Sequence, residues 1–357
     1  MSDKTPKLLE MTQKTITEYW NDSCSLKELT YALEKGAVGA TTNPVIVKSV
    51  LESELDNYEE RIRELVEEMP HATEDDIAWK LNEEMAITGA KMLRPLFDES
   101  KGQKGRISIQ TNTKFWRDPQ RLLEQTLHFQ TLCPNIQVKM PTTKAGIWAY
   151  EEATYHGVSI NATVSFTVPQ AIAVAEAVER GLKRREAEGK DTSEMRPVCT
   201  IMVGRVDDWL RQVADKKLIA IDPECYDWAG VAVMKNAYKI FKEKGYRTQL
   251  LAAAYRNHYH WSQFMGGDVS LTIPHKYQVR FNNSNVEIKN YMDEPVKAEY
   301  LEQLKANFPD FIKAYEPDGM TVEEFDTYGP VNATLMQFSK GYDDLINIIR
   351  KFMIIIK

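Results

Sequence analysis

The feature that most constrains this chain is alternation: short apolar runs, each followed by an amphipathic stretch, recur about eight times along its 357 residues. A strand buried on both faces reads as a short apolar run, and a helix packed on one face reads as a 3.6-residue period. The runs lie near Thr17 to Asp22, Val38 to Asn43, Arg106 to Gln110, Ile136 to Met140, Val158 to Val164, Val198 to Val203, Thr248 to Ala254 and Val269 to Ile273. Strands alternating with helices predict a parallel sheet, and eight of them close a barrel. The expected fold is therefore α/β, a (β/α)8 TIM barrel with extra helices and a C-terminal helix. A doubly wound open sheet is the competing architecture.

Between the runs, a serine at the capping position, Ser25, precedes a first helix pattern. A long charged pattern runs from about Val45 to Glu68, and another, from about Thr73 to Leu96, reads as an addition to the repeating unit. Further patterns span Pro119 to Leu132, Ala145 to Tyr155, Pro169 to Arg184 and the stretch after Val203 to about Lys244. Periodicity weakens from Asn282 to Glu323, and Pro330 to Met353 is helical again. That last helix is expected either to lie across the barrel or to serve as a contact in a homodimer. The chain, 1-357, reads as a single barrel domain with insertions near 73-99 and 282-323.

A net charge of -7 with Lys and Arg spread along the chain argues against broad nucleic-acid binding, yet leaves room for a local anion pocket. Cys24, Cys133, Cys199 and Cys225 form no CxxC pair and read as reduced packing thiols, with Cys24 a candidate reactive one. Met1 to Met11 has no signal-type apolar core, and the terminal Phe352-Met353-Ile354-Ile355-Ile356 is too short to span a bilayer. The expected address is the cytoplasm, with no membrane partner.

In a barrel, polar side chains at the C-terminal strand ends gather around one mouth. Here those ends supply Asp22, Asn43, Gln110, Lys139, Asn161 with Thr163, Thr200 with Arg205, and Arg256. A core filled only for stability would carry Val, Ile and Leu there. Lys139 stands in an apolar strand, where lost solvation lowers an amine's pKa and frees it to attack carbonyls. Alone, such a lysine more often reaches solvent along its stem. Asp22 is the best carboxylate for proton transfer among these ends, although such a residue more often caps the next helix. Arg205 and Arg256 follow the sixth and seventh strands and suit a bidentate anion. His258 and His260 form an HxH pair that could hold zinc, but no third ligand presents itself, and no metal is expected.

These residues, in this order, resemble the transaldolase family. The matching segments are Ala40-Thr41-Thr42-Asn43-Pro44, Val138-Lys139-Met140-Pro141-Thr142-Thr143 with Gly146, Ile160-Asn161-Ala162-Thr163, Val203-Gly204-Arg205 with Asp208-Trp209, and Ala254-Tyr255-Arg256-Asn257. The resemblance implies a class I aldolase barrel that needs no cofactor. It makes Lys139 the imine-forming lysine and Asp22 the acceptor of the hydroxyl proton. Gln110 and Thr163 join them as catalytic residues, while Asn43 and Asn161 hold the dihydroxyacetone unit and Thr200 is a further substrate-binding residue. Arg205 and Arg256 hold the phosphate, and the partners are small sugar phosphates.

Three positions depart from the family pattern. Gln110 stands where transaldolases carry Glu, as in the related fructose-6-phosphate aldolases. Met202 offers no hydroxyl where those small aldolases carry tyrosine. Ala254 replaces the phosphate-binding serine. The leading expectation is dihydroxyacetone transfer between sugar phosphates. The alternatives are an aldolase releasing free dihydroxyacetone, from a ketose phosphate or a sulfonate analogue, and a barrel that binds a sugar phosphate without turnover.

Overall fold

The computed structural model describes residues 5–354. Met1 to Lys4 and Ile355 to Lys357, including the ends of two segments weighed above, lie outside the described residues. Among the described residues, no helix is long and apolar enough to cross a membrane.

Eight parallel strands close on themselves in chain order. They are β1 (Glu18–Asn21), β2 (Gly39–Thr41), β3 (Arg106–Gln110), β4 (Ile136–Pro141), β5 (Ile160–Ser165), β6 (Val198–Ile201), β7 (Gln249–Ala252) and β8 (Ser270–Ile273). The register from Glu18↔Ser270 to Asn21↔Ile273 joins β1 to β8, so the sheet has no open edge. The competing open sheet is thereby excluded. Ile109, Val138, Met140, Ile160 and Leu271 are fully buried. Each such side chain contributes about 1.5–3 kcal/mol by leaving water.

Local signals explain the helices. Ser25 accepts from the Glu28 N–H and starts the Leu26–Glu34 helix. The charged pattern from Val45 to Glu68 is not one helix; it breaks at Glu54 into Pro44–Ser53, a 3₁₀ turn and Glu59–Glu68. The pattern after Val203 likewise divides, because Leu218 turns left-handed (φ 56°) and ends Val203–Lys217 before Pro223–Lys244 begins. The weak region after Asn282 holds two short helices, Ala298–Asn307 and Pro309–Tyr315. They bury Tyr300, Leu304, Phe308 and Phe311, a stripe that the break at Pro309 hides from simple periodicity.

The helix Glu74–Glu99 opens on a reciprocal Thr73–Asp76 capping box. It meets the C-terminal helix, Gly329–Met353, in a second apolar cluster beside the barrel that includes Leu51, Leu81, Leu345 and Ile349. Gly341 lets the C-terminal helix approach closely, since a Cβ there would stand 2.6 Å from a Val45 methyl. That helix thus crosses the flank of the mouth, the first of its two expected placements.

Candidate active site

A cavity of about 300 Å³ opens at the C-terminal ends of the strands. Six of the nine candidate residues line it: Asp22, Asn43, Lys139, Thr200, Arg205 and Arg256. Gln110, Asn161 and Thr163 stand behind that lining, in the barrel wall. Strand register explains the grouping, since Gln110, Lys139 and Asn161 are Cα partners across β3, β4 and β5.

Lys139 is only 3% exposed, and burial pushes its amine below the ordinary lysine range, with Asp22 opposing the shift. Loss of solvent raises the Asp22 carboxyl above its ordinary value, while Lys139 and the Thr41 hydroxyl pull it back. A base pushed down and an acid pushed up can pass one proton between them. Asp22 does not cap the next helix, because Ser25 does; its Oδ1 accepts instead from Thr41 Oγ1 at 2.7 Å. Among the described residues it is the one carboxylate lining the cavity.

The polar neighbours are partly occupied. Asn43 caps the Pro44–Ser53 helix, its Oδ1 accepting from the N–H groups of Val45 and Ile46, so only its amide N–H₂ is left for a ligand. Asn161 is fully buried; its Oδ1 accepts from Thr200 Oγ1 at 2.7 Å and its Nδ2 donates to Ser108 Oγ at 3.0 Å. One Asn161 N–H therefore remains. The Thr163 hydroxyl faces Met202 Sδ at 3.8 Å. Gln110 Oε1 is buried without a partner, as is Thr42 Oγ1. Both residues line a small cavity of about 10 Å³, the room of a single water, together with Trp79, Asn82 and Tyr342. Asn43 lines both cavities, which adjoin at that residue. Asn82 and Tyr342 come from the Glu74–Glu99 and C-terminal helices, and no motif spacing points to either.

The arginines differ sharply. Arg256 is bidentate to Asp208, with Nη2 to Oδ2 at 2.7 Å and Nε to both oxygens at 3.0 Å; its Nη1 donates to the Ala254 and Tyr255 carbonyls. Arg205 Nη2 donates to the side-chain Oε1 of Gln337 in the C-terminal helix, and its Nε is buried without a partner. Burial and the nearby Arg256 push the Arg205 pKa down. Lys276, just past β8, also lines the mouth. The rule that selected Arg256, a cation after a late strand, would have selected Lys276 too.

Left-handed backbone falls on two non-glycine residues near the rim, Val164 (φ 52°) at a register shift in β5 beside Thr163, and Ala254 (φ 65°) in the turn after β7, two residues before Arg256. The Ala254 turn presses its carbonyl against Gly204, where a Cβ would sit 2.0 Å from the oxygen. Gly204→Ala must therefore displace the segment carrying Arg256, at about 1–3 kcal/mol. Thermal unfolding should show the loss, and an unchanged melting temperature would mean that the contact relaxes freely.

The HxH pair does not lie on a strand. His258 and His260 flank the start of a four-residue helix, Tyr259–Ser262, with rings turned to different partners. His258 Nδ1 is 3.3 Å from Ser262 Oγ, and His260 Nε2 is 2.8 Å from Asp207 Oδ2. Cys24 is buried, and burial pushes its thiol up to about 12, which removes it as a nucleophile near neutral pH.

The family model described as Transaldolase/Fructose-6-phosphate aldolase matches residues 19–327. "Transaldolase 1" of Streptomyces avermitilis is 30% identical over 249 residues, covering 66% of this chain and 64% of the relative. "Transaldolase" of Renibacterium salmoninarum is 30% identical, with coverages of 66% and 65%. "Transaldolase" of Thermobifida fusca is 31% identical over 200 residues, covering 54% of this chain and 50% of the relative. The matches thus span just under two thirds of the length of the first two relatives and half of the third.

Proposed function

Because the chain belongs to the transaldolase/fructose-6-phosphate aldolase family, we propose that it transfers a dihydroxyacetone unit between sugar phosphates through an imine on Lys139. The observation that carries the reading is a buried lysine, its pKa lowered by burial, facing the one carboxylate in the lining of the mouth. The Lys139 amine attacks C2 of a ketose phosphate such as fructose 6-phosphate or sedoheptulose 7-phosphate, and water leaves to give the imine. Asp22 takes the C4 hydroxyl proton as the C3–C4 bond breaks, and the bonding pair flows into the imine to form an enamine. The aldehyde phosphate departs. The enamine carbon then attacks the aldehyde of erythrose 4-phosphate, Asp22 returns its proton to the new alkoxide, and hydrolysis frees Lys139. The remaining N–H groups of Asn43 and Asn161 are available to the dihydroxyacetone hydroxyls. No step calls for a metal or cofactor.

Borohydride added with fructose 6-phosphate should reduce the imine and leave a stable adduct on Lys139, read by peptide mass. An unmodified Lys139 under those conditions would sink the mechanism.

A second reading, an aldolase releasing free dihydroxyacetone, is favoured by Gln110. Its unpartnered Oε1 faces a water-sized cavity, and water delivered to the enamine would end the reaction. Gln110 does not line the mouth itself, which supports transfer over release. With erythrose 4-phosphate omitted, product formation should fall by at least tenfold. Dihydroxyacetone appearing at a comparable rate without acceptor would replace the first reading with the second.

A further inference from the structure

We infer that Gln137, buried beneath the mouth and absent from its lining, is a positioning residue that fixes, through Ser108, which end of the Asn161 amide meets the substrate. The inference rests on the transfer reading above and deepens it.

Four side chains inside the barrel are joined by hydrogen bonds that all run one way. Thr200 Oγ1 donates to Asn161 Oδ1 at 2.7 Å, and Asn161 Nδ2 donates to Ser108 Oγ at 3.0 Å. Ser108 Oγ donates to Gln137 Oε1 at 3.0 Å, and Gln137 Nε2 donates to the Arg196 carbonyl at 2.8 Å. Strand register brings the middle pair together, since Ser108 and Gln137 are Cα partners across β3 and β4. All four side chains are fully buried, where an unmatched donor or acceptor is costly.

The direction has a single source. A backbone carbonyl can only accept, so the Arg196 oxygen compels Gln137 to face it with the NH₂ group. Gln137 Oε1 then takes the one Ser108 hydrogen, and Ser108 can only accept from Asn161. Asn161 must therefore turn its NH₂ to Ser108 and its oxygen to Thr200. Arg196 itself is held firmly. Its backbone N–H donates to Ser159 Oγ at 3.0 Å, and its Nη2 reaches Glu18 at 2.7 Å and Gln249 at 2.8 Å. The two ends of an amide have nearly the same shape, so packing alone does not choose between them. An Asn161 amide turned by half a revolution would point a lone pair where the native amide points its second N–H.

The test is steady-state kinetics of the full chain with fructose 6-phosphate and saturating erythrose 4-phosphate. Gln137→Leu fills the space but releases the Ser108 hydrogen, which is then free to donate to a turned Asn161. KM for fructose 6-phosphate should rise about tenfold with kcat within about threefold, because the misdirected contact holds ground and transition states alike. Gln137→Glu keeps an acceptor for Ser108, and burial favours the neutral carboxyl, whose O–H still serves the Arg196 carbonyl. Its KM should stay within about twofold of the wild type. A role in stability alone predicts the opposite order, since a carboxyl is costlier to bury than a leucine. Ser108→Ala cuts the same relay one step nearer the site and should match Gln137→Leu, with the double variant no worse than either. Melting curves accompany the kinetics, and a Gln137→Leu protein that does not fold leaves Ser108→Ala and Gln137→Glu to decide. Unchanged KM in Ser108→Ala or in folded Gln137→Leu, or a rise in Gln137→Glu equal to that in the variants that cut the relay, would overturn the inference. The borohydride adduct separates the two ideas. Its absence from wild-type Lys139 fails the transfer reading and this inference with it, whereas an adduct with KM indifferent to Gln137 and Ser108 fails this inference alone.

Discussion

Lys139→Met is expected to lower kcat/KM for fructose 6-phosphate by roughly 10⁴-fold or more, the scale on which loss of a covalent nucleophile acts. Methionine keeps the length and apolar stem of lysine but cannot form an imine, so borohydride should leave no adduct. The same substitution should not weaken the fold. A lysine whose folded pKa lies below its unfolded value binds fewer protons in the native state, so it costs stability at any pH below the ordinary lysine range. That cost is largest below the folded pKa and fades as pH rises toward the unfolded value. Removing the amine therefore leaves the variant at least as stable as the wild type near neutrality, with its advantage growing on the acid side. Steady-state kinetics paired with melting curves at two pH values check both halves. Residual turnover within a hundredfold of the wild type would refute the nucleophile. A marked fall in melting temperature would instead make Lys139 a structural residue.

Much of this was written in the chain, for a physical reason. Strands of a parallel barrel are buried on both faces, so Arg-Ile-Ser-Ile-Gln at 106–110 and Ile-Gln-Val-Lys-Met at 136–140 stand out against their amphipathic surroundings. Position along a strand then selects Asp22, Lys139 and Arg205 without knowledge of any contact. What could not be read was the state of those groups. Nothing at Arg256 reveals that Asp208, 48 residues earlier, occupies its guanidinium. Nothing at Asn43 separates a ligand contact from the helix cap that it also is. Gln337, Asn82 and Tyr342 reach the two cavities from within the Gly329–Met353 and Glu74–Glu99 helices, where the strand-end rule has no purchase. The divided helices were missed because charge periodicity continues across Glu54 and Leu218 while the backbone does not.

The second large effect concerns the residue that looked most like a metal ligand. His260→Leu is expected to destabilise the fold by about 2–5 kcal/mol, the cost of leaving a buried carboxylate short of a donor and a backbone N–H without an acceptor. His260 and Asp207 are 0% and 1% exposed, and Asp207 Oδ1 also accepts the Gly230 N–H at 2.9 Å. Because the Arg256 N–H is a donor, His260 Nδ1 must be the acceptor, which places the ring proton on Nε2, aimed at Asp207. Leucine fills the space but leaves the Asp207 carboxylate short of a hydrogen bond and the Arg256 N–H unpaired. Asp207→Asn disturbs the same chain more subtly. The Asn side-chain oxygen stays with the Gly230 N–H, so its NH₂ faces the His260 Nε2–H. The ring can relieve that clash only by moving its proton to Nδ1, against the Arg256 N–H. Either substitution should lower the melting temperature, by roughly 5–10 °C for His260→Leu, and loosen the turn at Ala254. A His260→Leu protein as stable as the wild type would show that the Asp207–His260 pair contributes nothing to holding the β7 turn.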